Sequence, residues 1–392
     1  MRCPSRAPAQ WLRCLNLVFI LSFPSVQAAS RLEIYNAGPT NITLTWADPT
    51  AAAVEADGLS TSGWRAPLAV PLYDGTQYSL TVPATSGSRF FGLSANYLSI
   101  YNLSDALARI DTGYSPFLFS PGEAVVQDTD GDHHLQGVGY YQGFYYLTRS
   151  RPDWANTEKL LVISASTATV VSRLDLDPVS THAGGLQIHN GILAVPFETA
   201  GANAKIAFYG LSQPTAPALL GSFVTSIGNG YCVGLTDYRG KYLVAHYYSR
   251  PGKIRFYLVD TSFNKLAEKR WDAAVQDRSQ WYPLNTWPSD SYNYETMSLL
   301  KVQAPGQVTP GYFMIMYHSS NAADVYSVSD PNLVEPLDIR MVNRPQFYPY
   351  GPGFRYGAGM AIAGQTNLLF FSVLKHVHAE TGLNVISIYQ SR

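Results

Sequence analysis

The stretch His182–Glu198, HAGGLQIHNGILAVPFE, decides how this chain is read. A histidine and two glycines open it. Apolar and polar residues then alternate, and His189-Asn190-Gly191 breaks the alternation once. Alternation with period two marks a strand, and Asn-Gly between two such runs marks a two-residue hairpin. The stretch therefore predicts strand, tight turn, strand. Related phrases recur along the chain: HLQGVGYYQGFYYLT from His134, YCVGLTDYRGKYLVA from Tyr231 and YGAGMAIAGQTNLLFF from Tyr356. A weaker copy, YETMSLLKV from Tyr294, continues in GYFMIMYH. The five starting points, 134, 182, 231, 294 and 356, are 48, 49, 63 and 62 residues apart.

A second phrase, again strand, turn, strand, falls between these copies. It reads NYLSIYNLSDALARIDTG from Asn96, KLLVISASTATVVSRLDLD from Lys159, KIAFYGLSQPTAPALLGSF from Lys205 and KIRFYLVDTSFNKLAEKRW from Lys253. ADVYSVSDPNLVEPLDIRM from Ala323 and a truncated LNVISIYQSR at the C-terminus complete the set. Each period thus holds about four short strands, and four-stranded units repeating at this spacing read as blades of a β-propeller. The expected fold is all-β, with a five- or six-bladed β-propeller over residues 95–392. The repeat region begins and ends inside a blade, so the two ends complete one blade together or add a sixth. Closure from both ends removes exposed sheet edges. YLSIYNLSD and DVYSVSDPNLVEP resemble the LVIVD-type propeller repeat, chiefly in the third and fourth strands of each blade.

Ahead of the repeats, residues 30–94 carry short alternating runs between Gly, Pro, Asn and Asp turns, as in a small β-sandwich. ITLTW, the Ser-x-x-Trp around Trp64, YSLTVPAT and the closing SRFFGLS resemble a fibronectin type III-like module of the kind found in secreted bacterial proteins. That resemblance implies a spacer or adhesive attachment and no chemistry. Residues 1–28 combine a short basic region, the apolar run LNLVFILSF and small residues around Ala28. This is the pattern of a secretory signal peptide, with a lone N-terminal anchor as the alternative. The run is too short for a mature spanning helix, so no transmembrane segment is expected after signal removal. The expected location is secreted, extracellular or periplasmic.

Charged residues make up 14% of the chain and aromatics 13%, with 27 tyrosines. Removing Arg2, Arg6 and Arg13 with the signal leaves 24 basic against 28 acidic residues. No basic stripe results, which argues against nucleic acid as a partner. Cys3 and Cys14 leave with the signal, so Cys232 has no partner for an intramolecular disulfide. Its apolar surroundings, NGYCVGLTDY, fit a buried structural cysteine.

In a propeller the first strand of each blade lines the axis. His134, His182, Tyr231, Tyr294 and Tyr356 are therefore expected at equivalent points around one mouth of a channel. They are candidates for ligand contact, or for hydrogen bonds that hold blade starts together, the role that repetition in every blade favours. His134 and His182 on neighbouring blades can share a metal ion, with Gln136 and Gln187 behind them. In DTDGDHH, Asp128, Asp130, Asp132 and His133 form a candidate site for calcium or another divalent metal. The EF-hand pattern fails there, because His133 stands where the loop needs Gly and Gly139 where it needs Glu. His376, His378 and Glu380 form a weaker His-x-His-x-acid cluster at a strand end. Two aromatic insertions, WYPLNTWPSDSYNYE with Trp281 and Trp287, and NRPQFYPYGPGFRYG with Arg344 and Arg355, suit stacking on sugar rings or packing as caps.

No Gly-x-Ser-x-Gly, His-Glu-x-x-His or glycine-rich phosphate loop is present, which leaves a site assembled from separate blades open. The function expected is recognition of an extracellular carbohydrate, protein or cell-surface ligand at the propeller face. The alternatives are a polysaccharide-acting hydrolase or metal-dependent lyase with a histidine-lined site, and a structural or adhesive protein.

Overall fold

The computed structural model describes residues 32–36, 41–46, 52–56, 72–73, 78–83, 90–94, 100, 102–111, 113–120, 134–150, 159–180, 182–198, 203–226, 230–249, 253–272, 294–303, 310–318, 322–328, 339–343, 354, 357–362, 368–373 and 383–391. The protein is mainly β and divides into two compact units between Ala95 and Asn96. The signal-like segment lies outside the described residues.

The first unit contains β1 (Glu33–Asn36), β2 (Asn41–Trp46), β3 (Ala52–Ala56), β4 (Leu72–Tyr73), β5 (Tyr78–Pro83) and β6 (Phe90–Ser94). One antiparallel sheet has the order β1-β2-β5-β4, and β3 pairs with β6. Leu44, on the central strand β2, is fully buried.

The second unit opens with a helix, α1 (Leu103–Ala108), and the strand β7 (Ser115–Phe119). The helix corrects the strand-turn-strand expected from Asn96. Asn102 caps it by accepting the Asp105 N–H, and Leu103, Ala106 and Leu107 bury one face. That local capping overrides the resemblance of NYLSIYNLSDALARIDTG to the other copies.

Five antiparallel four-stranded groups follow. The first is β8 (His134–Tyr141), β9 (Phe144–Ser150), β10 (Leu160–Ser164) and β11 (Thr169–Leu174). The second has an inner strand in two pieces, β12 (His182–Ala183) and β13 (Gln187–His189), then β14 (Ile192–Glu198), β15 (Lys205–Gly210) and β16 (Ala218–Val224). The third is β17 (Cys232–Tyr238), β18 (Lys241–Ser249), β19 (Lys253–Val259) and β20 (Lys265–Asp272). The fourth is β21 (Tyr294–Val302), β22 (Gly311–His318), β23 (Ala323–Val328) and β24 (Ile339–Asn343). The fifth is β25 (Ala358–Ile362), β26 (Leu368–Val373) and β27 (Asn384–Gln390), completed on its outer side by β7. The two ends of the unit therefore build one blade together, in an arrangement similar to five-bladed β-propellers.

The core is divided among the seams. Five apolar clusters lie one in each junction between blades: 1–2, 2–3, 3–4, 4–5 and 5–1. The last contains Phe119, Leu135, Tyr145, Leu161, Phe371 and Ile386, drawn from the first blade, the fifth blade and β7. A filled seam between the last blade and the first closes the ring. Ser391 Oγ accepts the Leu368 N–H at 2.6 Å, and the Asp111 N–H donates to the Gln390 carbonyl at 2.9 Å, so the C-terminal strand is tied at its end.

The hairpins inside blades 1, 2 and 3 turn through Gln142-Gly143, Asn190-Gly191 and Arg239-Gly240, all at positive φ. Positive φ at both central positions is the type I′ turn, whose twist matches the strands it joins. The Asn-Gly of the opening stretch is one of these.

The axis is closed by close approach of backbone. A Cβ on Gly359 would collide with the Val138 carbonyl, where β25 meets β8. A Cβ on Gly184 would collide with the carbonyls of Gly230 and Tyr231. Gly359→Ala is expected to destabilise the second unit by about 3 kcal/mol, because the obstacle is backbone and cannot rotate away. Gly143→Ala meets no neighbouring atom within 4 Å and suffers only its positive φ, a cost of about 1 kcal/mol. Calorimetric melting of both variants checks the ranking.

Candidate functional site

Inner strands begin at one end of the ring and reach their turns at the other, so side chains near the axis collect at two mouths. At the leading mouth, blades 1, 2 and 4 share a one-residue irregularity. In β8 the pairs Leu135↔Arg149 and Gly137↔Thr148 leave Gln136 as the extra residue. In blade 2, Ala183↔Phe197 and Gln187↔Ala194 set Gly184, Gly185 and Leu186 against two residues of β14. In β21, Tyr294↔His318 and Thr296↔Tyr317 leave Glu295 extra. Such bulges re-aim side chains and recur beside working sites.

Gln136 is aimed at the next blade. Its amide Nε2 lies 2.9 Å from His182 Nε2. An amide nitrogen only donates, so His182 Nε2 accepts and the ring proton is assigned to Nδ1. Nδ1 faces Glu198, with Oε2 at 3.8 Å. The Gly230 N–H, at the start of blade 3, donates to Glu198 Oε1 at 3.2 Å. A polar joint therefore runs from blade 1 through blade 2 to blade 3. The side chains of His182 and Glu198 keep 20% and 28% of their surface exposed. Burial lowers the His182 pKa to about 4, so the imidazole is neutral near pH 7. Burial also raises the Glu198 carboxyl, partly offset by the Gly230 N–H.

The remaining expected mouth residues behave differently. Tyr294 is 3% exposed; its hydroxyl donates to the buried Asp324 at 2.5 Å and lies 3.2 Å from the Tyr326 hydroxyl. Tyr294 is buried in the seam between blades 3 and 4. Tyr231 precedes β17, and its ring lies tilted against that of Tyr247, with centroids 5.8 Å apart. It is not the register equivalent of His182. His134 pairs with Ser150 and His182 with Glu198, each partner seven residues past the turn glycine. At that register blade 3 has Cys232, paired with Tyr247, because β17 lacks the bulge. Cys232 is free and fully buried.

The axis itself is not an open channel along the described inner strands. Gln187 accepts the N–H groups of Leu235 (2.7 Å) and Leu299 (2.8 Å) and donates to the Leu299 carbonyl (2.8 Å). One side chain thus joins blades 2, 3 and 4. Thr296 Oγ1 donates to the Gln136 carbonyl at 2.9 Å and accepts the Ala358 N–H at 3.3 Å, joining blades 4, 1 and 5. Gln187 is a brace of the axis and not a backing for His182.

At the turn-side mouth, His189 Nε2 lies 3.3 Å from Asp237 Oδ1, and Lys301 Nζ donates to Asp237 Oδ2 at 2.5 Å. These three residues come from blades 2, 3 and 4. Burial pushes the Asp237 carboxyl up, but His189 and Lys301 outweigh it and hold the group below its usual value. The sequence reading did not single out this cluster. Its members lie at inner-strand ends of three copies, which was the available signal.

Asp128, Asp130, Asp132, His133, Trp281, Trp287, Arg344, Arg355, Tyr356, His376, His378 and Glu380 lie outside the described residues, and of His134 only the backbone is described. Among the described residues, no group of three His, Cys, Asp or Glu gathers to hold a metal ion. None of the described helices is long and apolar enough to cross a membrane.

No protein-family model matches the chain, and no curated protein sequence does. Solved structures do. A thermostable family-43 glycoside hydrolase aligns at 12% identity and a TM-score of 0.41, over 66% of this chain and 89% of that one. The catalytic domain of a Coprinopsis cinerea GH62 α-L-arabinofuranosidase aligns at 11% identity and 0.41, over 71% and 98%. The β-propeller domain of Myceliophteria thermophila Cps50 (Swd1) aligns at 8% identity and 0.32, over 65% and 82%. These likenesses concern the fold alone.

The joint makes a pH prediction. A histidine whose pKa falls from the ordinary 6.5 to about 4 on folding resists protonation in the folded state. Its contribution to stability is complete above pH 6.5 and is lost as the pH falls from there toward 4. The loss attributable to His182 is about 3 kcal/mol at pH 4. Urea unfolding at pH 7, 5.5 and 4 is expected to show this limb, and His182→Gln to flatten it.

Proposed function

We propose that the protein is an exported recognition protein that holds a hydroxyl-rich ligand, an extracellular carbohydrate, at the mouth where the inner strands begin. The observation that carries this reading is the bulge shared by blades 1, 2 and 4. In blade 1 it aims Gln136 at His182 of blade 2, in strands otherwise committed to backbone pairing and apolar seams. A neutral imidazole and a carboxyl, both partly exposed, with the buried Gln136 amide holding the imidazole from behind, are planar hydrogen-bonding groups that suit neighbouring hydroxyls. Closure of the axis supports the same reading, because a ligand then meets a face and not a tube. On this reading the repeats are LVIVD-like and the first unit is a fibronectin type III-like attachment. Calcium held at Asp128–His133, the residues that precede β8 in the sequence, belongs to this reading.

A glycan array on the secreted protein, followed by calorimetric titration of the best hit, tests the proposal. His182→Ala and Gln136→Ala are each expected to weaken binding by about tenfold, the worth of one lost hydrogen bond to a well-held polar group. An array with no retained glycan overturns the reading. So does a glycan whose affinity is indifferent to both substitutions.

A further inference from the structure

Each blade ends in an outer strand with no further described strand beyond it, though Thr169 of β11 is bridged to Ser120; such an edge is a ready template for another strand. Four of these five rim strands carry a feature that discourages pairing. β7 contains Pro116, β11 contains Arg173, β24 contains Arg340, and β20 contains Lys265, Glu268, Lys269 and Arg270. β16, with the sequence ALLGSFV, has neither charge nor proline. It lies in the middle of residues 206–236, which include no Asp, Glu, Lys or Arg. β16 also exposes Leu219 (59%), Leu220 (45%) and Val224 (61%). It ends its sheet, with no described strand on its outer side.

The backbone says which groups are on offer. The Thr225 N–H donates inward to the Ala204 carbonyl at 2.7 Å. Backbone direction alternates along an antiparallel strand, so Phe223 also faces β15, while Ser222 and Val224 turn their N–H and C=O outward. A bulge at Leu220, between Phe208↔Gly221 and Tyr209↔Leu219, bends the strand before this point. The flat segment is therefore Gly221–Thr225, centred on Phe223.

We propose that β16 is a homodimer interface, in which two copies pair β16 to β16 antiparallel about a two-fold axis through Phe223. Ser222 of each copy then lies opposite Val224 of the other, and each such pair exchanges two backbone hydrogen bonds. The occupant is a second copy because the strand is complementary to itself. The outward groups at positions 222 and 224 are interchanged by the two-fold axis, and an uncharged strand meets its own copy without like-charge opposition. The same operation on β20 would bring clustered Lys and Arg residues together.

Sedimentation equilibrium on the secreted full chain tests this over a concentration series from micromolar to near-millimolar. A reversible monomer–dimer equilibrium is expected. Val224→Lys sets a charge opposite Ser222 of the other copy and brings the two new lysines to diagonal positions on one face of the pair, and Ser222→Pro removes an outward donor without touching the β15 ladder. Each is expected to raise the dimer dissociation constant by about tenfold or more. Leu266→Lys, on the exposed rim of β20, is expected to leave it unchanged. Should Ser222→Pro fail to fold, Val224→Lys decides alone. A chain that stays monomeric throughout the series overturns the proposal, as does a dimer unaffected by Val224→Lys.

Discussion

The rest of the molecule depends on how closely five inner strands approach one axis. Side chains would hold them apart, and at the tightest contacts there are none. Gly359 lies against the Val138 carbonyl, and Gly184 against the carbonyls of Gly230 and Tyr231. Backbone brought this close exposes polar groups that parallel neighbours satisfy only in part. Gln187 and Thr296 supply the missing partners, each spanning three blades. An unmet buried N–H costs about 1–3 kcal/mol, so these two side chains are as necessary to the closed axis as the glycines. Together they turn what could have been a channel into a polar-braced core.

Closure at the axis fixes where everything else goes. Blades that touch at their inner strands must diverge outward, and the widening wedges are filled by the five apolar clusters. The large aromatics sit there: Tyr317, Phe354, Phe370 and Tyr389 in one seam, Phe208, Phe223, Tyr257 and Phe263 in another. A tyrosine-rich, charge-poor composition is what such wedges need, since a ring fills a tapering gap with few rotatable bonds. Some charge is buried, at Arg149, Lys159, Asp177 and Asp324, and the rest gathers where water reaches. That leaves the two mouths, with Glu198 at one and the His189–Asp237–Lys301 group at the other, and the rim.

The blade repeat was legible because it is written in backbone chemistry. Alternation, paired glycines and hairpin turns are local, and each copy carries them. Counting strands left the two ends either to complete one blade together or to add a sixth, and the pairing of β27 with β7 decides for the first. The helix at Leu103 was hidden, because its residues mimic the repeat and only the Asn102 cap departs from it. Register was hidden for a different reason. A single extra residue in β8, blade 2 and β21, absent from β17, makes Tyr231 look equivalent to His182 when Cys232 holds that place. No composition signal distinguishes a bulged strand from a regular one of nearly the same length. The contact between Gln136 and His182, and the divergence of Gln187 toward the axis, follow from that bulge and were illegible with it.

Blade 2 departs furthest from the common plan. Its inner strand is in two pieces, with three residues opposite two. From that stretch, His182 reaches back to blade 1, Gln187 crosses to blades 3 and 4, and His189 approaches Asp237 at the far mouth. Glu198, at the end of β14, reaches the start of blade 3. The outer strand of the same blade is the one without charge or proline. A closed ring tolerates this, because each blade is held by two seams and the axis, and one blade can diverge while its neighbours keep the geometry. Repetition explains why HAGGLQIHNGILAVPFE looks like its relatives. The differences inside it, a longer bulge and three polar side chains sent in three directions, make this blade the junction between the axis, both mouths and the rim.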